Sequence, residues 1–462
     1  MSHSDLMQES VEALLKQDRD YLWHHLTQHK VFQTSDPLVM VEGKGLILKD
    51  IRGREYLDAT SGGVWCVNVG FGQDSIAEAV CAQLKKMPYY AGTAGNVPAI
   101  RFAAKVISLL PKLGKVFFSN SGSEANEKAF KMIRQYFRLK YKDKDKYKIL
   151  YRSRDYHGTT MAALSATGQQ ERRESYGPFL EGFVEFPHAC CYRCPFDKTY
   201  PGCNIDCAMA LETVIQKEGP DTVGAIIVEP ITAGGGIIAP VKEYYPLLQE
   251  ICRKYEVLMI MDEVVCGFGR TGKMFGFEHY DVDPDIVTMA KGMASAYMPL
   301  SATVARNDVF DAFLNDPADK MAYFRDISTY GGCAGAFAAA LESTRIIEEQ
   351  HLAENSRVVG EYLLGRLEEL RAFPIVGDVR GRGLFAGIEF VEDRKTKKPV
   401  TEPFLVGIIK GIADQGVLVG RTNRSLPGLN NIINLAPALV ATRDDIDRIV
   451  SAIGNAIAKA SL

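Results

Sequence analysis

An apolar run, Val257–Met261, ends on a carboxylate, Asp262. A second, Ile286–Ala290, ends on an amine, Lys291, twenty-nine residues beyond Asp262. Each run is short, nearly continuous in hydrophobicity and suited to a buried strand. In an open parallel sheet the strand C-termini line the ligand crevice. One acid and one primary amine at such an edge have the chemistry to hold a protonated pyridine nitrogen and to form a Schiff base with an aldehyde. The plainer alternatives are a strand-end lysine reaching solvent and, for Asp262-Glu263, a metal ligand pair or a helix start.

Other groups fit the same chemistry. Asn120–Asn126, with Ser121, Gly122 and Ser123, follows a strand and opens a helix. Free amides at a helix start bind phosphate, and the Ser123 hydroxyl adds a donor. The same segment also reads as an ordinary N-cap with Ser123 as the cap. Tyr156-His157-Gly158 follows the next strand, where an aromatic stacks on a planar ring or packs in the core. Glu229 ends a further strand before Pro230 and a glycine run, Gly234–Gly236, placing it near the ring or in a turn. Ser61–Gly72, with Trp65 inside it, is too glycine-rich for a regular helix and reads as a ligand loop.

Taken in order, these segments resemble the class III pyridoxal-phosphate aminotransferases, the omega-amino-acid group of fold type I. The matching segments are SGGVWCVNVG (61–70), SNSGSEANE (119–127), YHGTT (156–160), IVEP (227–230), DEVVCGFGRTG (262–272), AKG (290–292) and STYGG (328–332). They span the chain from about Leu38 to the last helix. The resemblance implies pyridoxal 5'-phosphate as cofactor, Lys291 as Schiff-base lysine and proton shuttle, and Asp262 opposite the pyridine nitrogen. It places Val264 and Tyr156 on the two ring faces, with His157 beside them, and Ser121, Gly122 and Ser123 on the phosphate. Thr329 reaches that phosphate from a partner subunit, which implies at least a homodimer, with a tetramer left open. Glu229 becomes the gating carboxylate, Trp65 a wall of the substrate pocket, and Arg421 the mobile arginine for the substrate's acid group.

The chain departs from the pattern after Arg421. Many relatives run straight into the next strand, whereas Thr422–Asn431 intervenes here with Arg424, Pro427 and three asparagines. Arg421 and Arg424 are both open as anion binder, with the strand-end position favouring Arg421. Within the family, the cysteine-bearing insert Ala189–Cys207 and the motif wording resemble the taurine–pyruvate branch. That implies taurine as donor and pyruvate as acceptor, giving sulfoacetaldehyde and alanine. Beta-alanine or another omega-amine, or an aminomutase on the same scaffold, is the alternative.

The elements that must position these groups alternate. Strands at Lys115–Phe118, Lys148–Tyr151, Ala225–Val228, Val257–Met261 and Ile286–Ala290 are separated by helix-length segments, which implies an α/β fold with a mostly parallel central sheet. Leu6–His29 reads as helical and Leu38–Asp58 as strands with turns. After Gly335 the pattern becomes a smaller α+β unit. The expected division is 1–70 as an N-terminal segment packing with the small domain, 71–335 as the large cofactor-binding domain, and 336–462 as the small domain.

The 462 residues are 47% hydrophobic and 24% charged, ordinary globular usage for a chain of two or three domains. A formal net charge of −3 gives no reason to expect nucleic acid or an anionic membrane as partner. The partners expected are small molecules, an amine donor and a keto acid. Met1–Lys16 has no apolar core of a secretory signal, and no run reaches eighteen apolar residues, so the chain reads as cytoplasmic. Lys140–Lys148 is a dense charge run, read as a solvated helix end. Five of ten cysteines fall in Cys190–Cys207. Their spacing leaves a zinc site, a disulfide or plain reduced thiols open, and the expected chemistry needs no metal.

Overall fold

Seven strands form the central sheet of the computed structural model, which describes residues 10–460. Their spatial order is Lys115–Ser119, Ser301–Ala305, Ile286–Met289, Leu258–Asp262, Val223–Val228, Lys148–Arg152 and Phe183–Phe186. All neighbours pair in parallel except Ser301–Ala305, which runs antiparallel to both of its neighbours. Every residue of Val223–Val228, Leu258–Asp262 and Ile286–Met289 is buried. This is why those strands read as unbroken apolar runs: helices cover both faces of a parallel sheet. The strands Phe183–Phe186 and Ser301–Ala305 were not expected. Both are short and carry Glu, Ser or Thr, so their hydrophobic signal is weak.

The helix Gly122–Lys140 lies on this sheet. Ala125, Ala129, Phe130, Met132, Ile133, Tyr136 and Phe137 are its buried apolar side chains, recurring every three or four positions. Fully burying each large member stabilises the fold by roughly 1.5–3 kcal/mol. The helix stops at Lys140, and the charge run beyond it is not uniformly solvated. Lys146 is buried, and its ammonium donates to the carbonyls of Pro220, Val223 and Tyr255 at 2.9, 3.1 and 2.8 Å. Its charge is met by carbonyl dipoles, which a solvated helix end does not provide.

Two smaller sheets join distant parts of the chain. Met40–Lys44, Ile47–Asp50 and Glu55–Asp58 form a meander, and Val417–Leu418 adds to it in parallel beside Glu55–Asp58. Val376–Gly381, Ala386–Asp393, Ile432–Leu435 and Gly420–Arg421 form the other, with Lys398–Pro399 paired to Ala386–Asp393. One short stretch, Val417–Arg421, therefore crosses from one sheet to the other. Helix Ala334–Glu349 packs on helices Asp74–Lys86 and Val97–Leu109. Of the expected Leu6–His29 helix, Val11–Tyr21 is helical and a short turn follows at His29–Phe32; residues 6–9 and the rest of the Met1–Asp5 start lie outside the described residues. Among the described residues no helix is long and apolar enough to cross a membrane.

Candidate active site

Four adjacent parallel strands deliver the central groups to one edge. Tyr156 and His157 follow Lys148–Arg152, Glu229 follows Val223–Val228, Asp262 ends Leu258–Asp262, and Lys291 follows Ile286–Met289. Register makes this convergence: Val228 pairs with Met261, and Asp262 with Thr288. Parallel strands in register place their C-terminal ends side by side, which is where open sheets bind ligands.

Asp262 is the best-braced carboxylate. Its Oδ1 accepts the Val264 amide at 3.0 Å, and its Oδ2 lies 2.8 Å from His157 Nδ1. The Asn126 side-chain amide donates to the same Oδ2 at 2.9 Å and to the His157 carbonyl at 2.7 Å. Asp262, His157 and Asn126 are all buried. An acceptor-only carboxylate puts the ring proton on Nδ1. Asn126 was missed as a member of this set. The signal was present, since it stands four residues after Gly122 on the apolar face of a helix, where an amide needs a partner.

Glu229 is held differently. Its Oε1 accepts the Tyr156 amide at 2.8 Å, and its Oε2 accepts the Ala233 amide at 3.1 Å. Burial, with Asp155 and Asp262 nearby, pushes this carboxyl well above the usual range, against the pull of the two amides. Arg152 fixes the surrounding turn by donating to the Glu229 carbonyl at 2.6 Å, to Thr232 at 3.0 Å and to Asp155 at 3.0 Å.

Lys291 lines the cleft, only partly exposed, with its backbone at φ +45°. Its ammonium is 5.1 Å from the centre of the Trp65 ring, within cation–π range. Burial holds its pKa below the ordinary lysine value, while Cys66, Glu229 and Asp262 oppose that by less. Trp65 packs edge-on against Phe385, 5.6 Å away. Its loop, Ser61–Trp65, is one irregular turn, with Gly62 and Gly63 at φ +81° and +83°. Arg270, fully buried, organises that loop. It donates to Ser61 Oγ and Asn68 Oδ1 at 2.9 Å each, and to the carbonyls of Leu384 and Pro437 at 3.1 and 2.5 Å. Burial lowers its pKa to about 10.

The helix start corrects one expectation. Ser121, not Ser123, is the N-cap, its Oγ accepting the Glu124 amide at 3.2 Å. Ser123 Oγ instead accepts the Thr159 amide at 3.1 Å. A Cβ on Gly122 would meet Val264 at 2.9 Å. That glycine lets the helix start approach the Asp262 turn, and first-turn amides have no helical carbonyl to pair with. Thr329 is not joined to this set within the chain. It is exposed, and its carbonyl accepts the Tyr89 hydroxyl at 2.6 Å.

The loop Thr422–Asn431 packs against the short helix Gln170–Arg173, with the Glu171 amide donating to the Ser425 carbonyl at 3.1 Å. Arg172 donates to the Asn423 carbonyl at 3.1 Å and places its guanidinium 5.3 Å from the centre of the Tyr156 ring. Arg424 is engaged by Glu402 and lies 3.6 Å from Glu171. Arg421 is 3.6 Å from Glu402. Among the described residues all ten cysteines are free thiols, and no group of three or more His, Cys, Asp or Glu is arranged to hold a metal.

The residues present fit a phosphorylated pyridine aldehyde. A braced buried carboxylate, an amine of lowered pKa and a helix start that only glycine allows near them are its three requirements. Among the described residues, the buried Nε2 of His157 and Oδ1 of Asn126 have no hydrogen-bond partner, so polar capacity remains beside Asp262.

Residues 30–457 match the family model described as Aminotransferase class-III. A hypotaurine/taurine–pyruvate aminotransferase of Paracoccus denitrificans is 52% identical over 98% of this chain and 99% of its own length. A taurine–pyruvate aminotransferase of Bilophila wadsworthia is 54% identical over 96% of each chain. Among solved structures, a Bacillus anthracis aminotransferase superposes with a TM-score of 0.93 at 40% identity, covering 99% of this chain and 100% of that one. With family model, relatives and site geometry in agreement, this chain belongs to the class III aminotransferases, enzymes of fold type I that depend on pyridoxal 5'-phosphate.

Proposed function

We propose that the chain moves the amino group of taurine to pyruvate, giving sulfoacetaldehyde and alanine. The observation that carries the reaction type is the convergence of Asp262, Glu229 and Lys291 on neighbouring strand ends. The choice of donor and acceptor rests on relatives at 52% and 54% identity named for taurine and pyruvate, and on an arginine-bearing loop suited to an acid group.

Bound there, pyridoxal phosphate supplies an aldehyde carbon and a ring that accepts an electron pair. Asp262 holds the proton on the ring nitrogen, kept in place by His157 and Asn126. Val264 and Tyr156 would flank the ring, and Ser121, Gly122 and Ser123 would hold the phosphate. Burial, which lowers the Lys291 pKa, makes its Nζ easier to deprotonate, so that it would be able to take the proton from the nitrogen-bearing carbon of the donor. Glu229 holds Tyr156 through its amide and closes the donor side of the cleft. Trp65 walls the substrate pocket.

Arg421 is the acid binder, because Arg424 already makes a hydrogen-bonded ion pair with Glu402, whereas Arg421 stands 3.6 Å from that carboxylate. Thr329, exposed on its own subunit, reaches the phosphate of a second copy, so the working unit is a homodimer of about twice the 51.0 kDa chain. It works in the cytoplasm.

One panel tests this reading. Taurine, beta-alanine, 4-aminobutyrate and a simple amine are each paired with pyruvate or 2-oxoglutarate, and alanine or glutamate is measured. Taurine with pyruvate is expected to be fastest; a faster beta-alanine reaction overturns the donor assignment. Amino transfer within one molecule, with no keto acid required, overturns the reaction.

A further inference from the structure

Glu229 takes its two amides from two different segments. The Tyr156 amide comes from the loop after Lys148–Arg152, and the Ala233 amide from a tight turn after Pro230. Thr232 and Ile238 close that turn by exchanging backbone bonds at 3.0 and 2.9 Å. Inside it, the Gly236 and Ile237 amides both donate to the Ala233 carbonyl at 3.1 Å. Ala233 therefore faces Glu229 with its amide and the tip of the turn with its carbonyl. The tip decides where the amide stands.

Two arginines fix the tip. Arg154, buried, donates from Nε to the Gly235 carbonyl at 3.1 Å. Arg380 comes from a different sheet, on strand Val376–Gly381, and donates from Nε to the Gly236 carbonyl at 2.8 Å. Its Nη1 donates to Asp378 at 2.7 Å and lies 2.9 Å from Glu389. Glu389 is fully buried and also accepts Arg193 Nε at 2.5 Å. A guanidinium is planar, so carboxylates that hold Nη1 also aim the Nε–H. Gly236, at φ +124°, lets both arginines close in: a Cβ there would meet Arg380 Nη2 at 3.0 Å and Arg154 Nη2 at 3.3 Å.

We propose that Arg380 is a positioning residue for Glu229, holding the Gly236 carbonyl and, through the turn, the Ala233 amide against its Oε2. This rests on Glu229 serving the reaction. Without Arg380 the tip keeps only the Arg154 bond, and Oε2 loses a fixed partner while Oε1 keeps the Tyr156 amide. Both amides pull the Glu229 carboxyl down against burial, Asp155 and Asp262. A displaced Ala233 amide thus alters the charge of Glu229 as well as its direction. Asp262 is braced by His157, Asn126 and the Val264 amide instead, so cofactor binding does not depend on the turn.

The test uses the holoenzyme in single turnovers with the fastest donor of the panel, followed by loss of the imine absorbance. Arg380→Lys keeps a charge for Asp378 and Glu389, but one ammonium cannot span those carboxylates and the Gly236 carbonyl as the guanidinium does. The imine band is expected to remain and the turnover rate to fall about tenfold, the worth of one lost hydrogen bond. In a Glu229→Ala background the same substitution is expected to cost less than about twofold, because no carboxylate is left to position. Gly236→Ala disturbs the same carbonyl with every charge in place. It is expected to show the same dependence on Glu229, and it carries the test if Arg380→Lys does not fold. Equal losses with and without Glu229 overturn the proposal, since a merely structural role costs the same in both. An unchanged rate in Arg380→Lys overturns it too. If Glu229→Ala alone reacts as fast as the parent enzyme, the role of Glu229 falls and this proposal with it. If Glu229→Ala is slow but the two losses multiply, Glu229 stands and Arg380 falls.

Discussion

His157 Nδ1 lies 2.8 Å from Asp262 Oδ2, with both side chains buried. The contact ties two strand ends that are 105 residues apart in sequence. It makes the Asp262 carboxylate part of a rigid set rather than a free side chain, because the histidine is itself held through its carbonyl by Asn126.

Asn126→Ala tests that rigidity. It leaves the His157 carbonyl and one Asp262 oxygen short of a donor in a buried place. The expected loss is about 1–3 kcal/mol of unfolding free energy, with faster loss of cofactor absorbance on dialysis. Urea titration and the visible spectrum read both. Unchanged stability would mean that the Asn126 bonds are not formed.

Lys291→Ala removes the base without opening a core cavity, since the side chain lines the cleft. Activity is expected to fall at least about 10³-fold, while unfolding free energy changes by about 0.5 kcal/mol or less. The imine absorbance band is lost with it. A variant that retains the band contradicts the placement of the amine.

Arg270→Met strips four acceptors, in Ser61, Asn68, Leu384 and Pro437, of one shared donor. The cost is on the order of 3 kcal/mol. The Trp65 loop loosens with it, so the KM for the amine donor rises more than kcat falls. An unchanged KM would show that the loop is held by other means.

Two histidines predict how stability depends on pH. Burial lowers the His279 pKa to about 4 and that of His188 to about 3, with neighbouring arginines adding to both effects. Both folded values lie below the ordinary 6.5, so between 6.5 and those values the unfolded chain binds protons that the folded chain does not. Stability from these groups is complete above about pH 6.5 and is lost as pH falls toward 4 and then 3. The melting temperature is expected to fall over that window, and His279→Gln flattens the upper part of the fall. An equally steep profile in the variant would assign the loss to other groups.

Much of this was legible without coordinates, for identifiable reasons. Strands buried on both faces must be apolar throughout, so Leu258–Asp262 and Ile286–Met289 announced themselves, and the polar residue that ended each run stood out. Phe183–Phe186 and Ser301–Ala305 were not legible, because strands of mixed polarity look like loops. The helix cap was placed two residues late, since three serine and asparagine side chains compete in Asn120–Ser123 and only geometry decides among them. Lys146 looked solvated because charge runs usually are; its three carbonyl partners come from two distant stretches, Pro220 and Val223 in one and Tyr255 in the other.

The sequence by itself determined the reaction chemistry. Asp262, Lys291, Glu229 and Tyr156 each sit at the end of a recognisable strand, and a parallel sheet can only gather such ends at one edge. The tertiary structure alone decided what surrounds them. The contacts of Asn126 with Asp262, of Arg270 with Ser61 in the Trp65 loop, and of Arg424 with Glu171 join residues far apart in sequence. No local periodicity encodes such pairs. They follow from which helices and sheets pack together, and from the need of every buried polar group to find a partner. That is why Arg421 and Arg424 read alike in sequence yet differ in the fold: Arg424 is hydrogen-bonded to Glu402, and Arg421 has a buried Nη1 3.6 Å from the same carboxylate with no hydrogen-bond partner among the described residues.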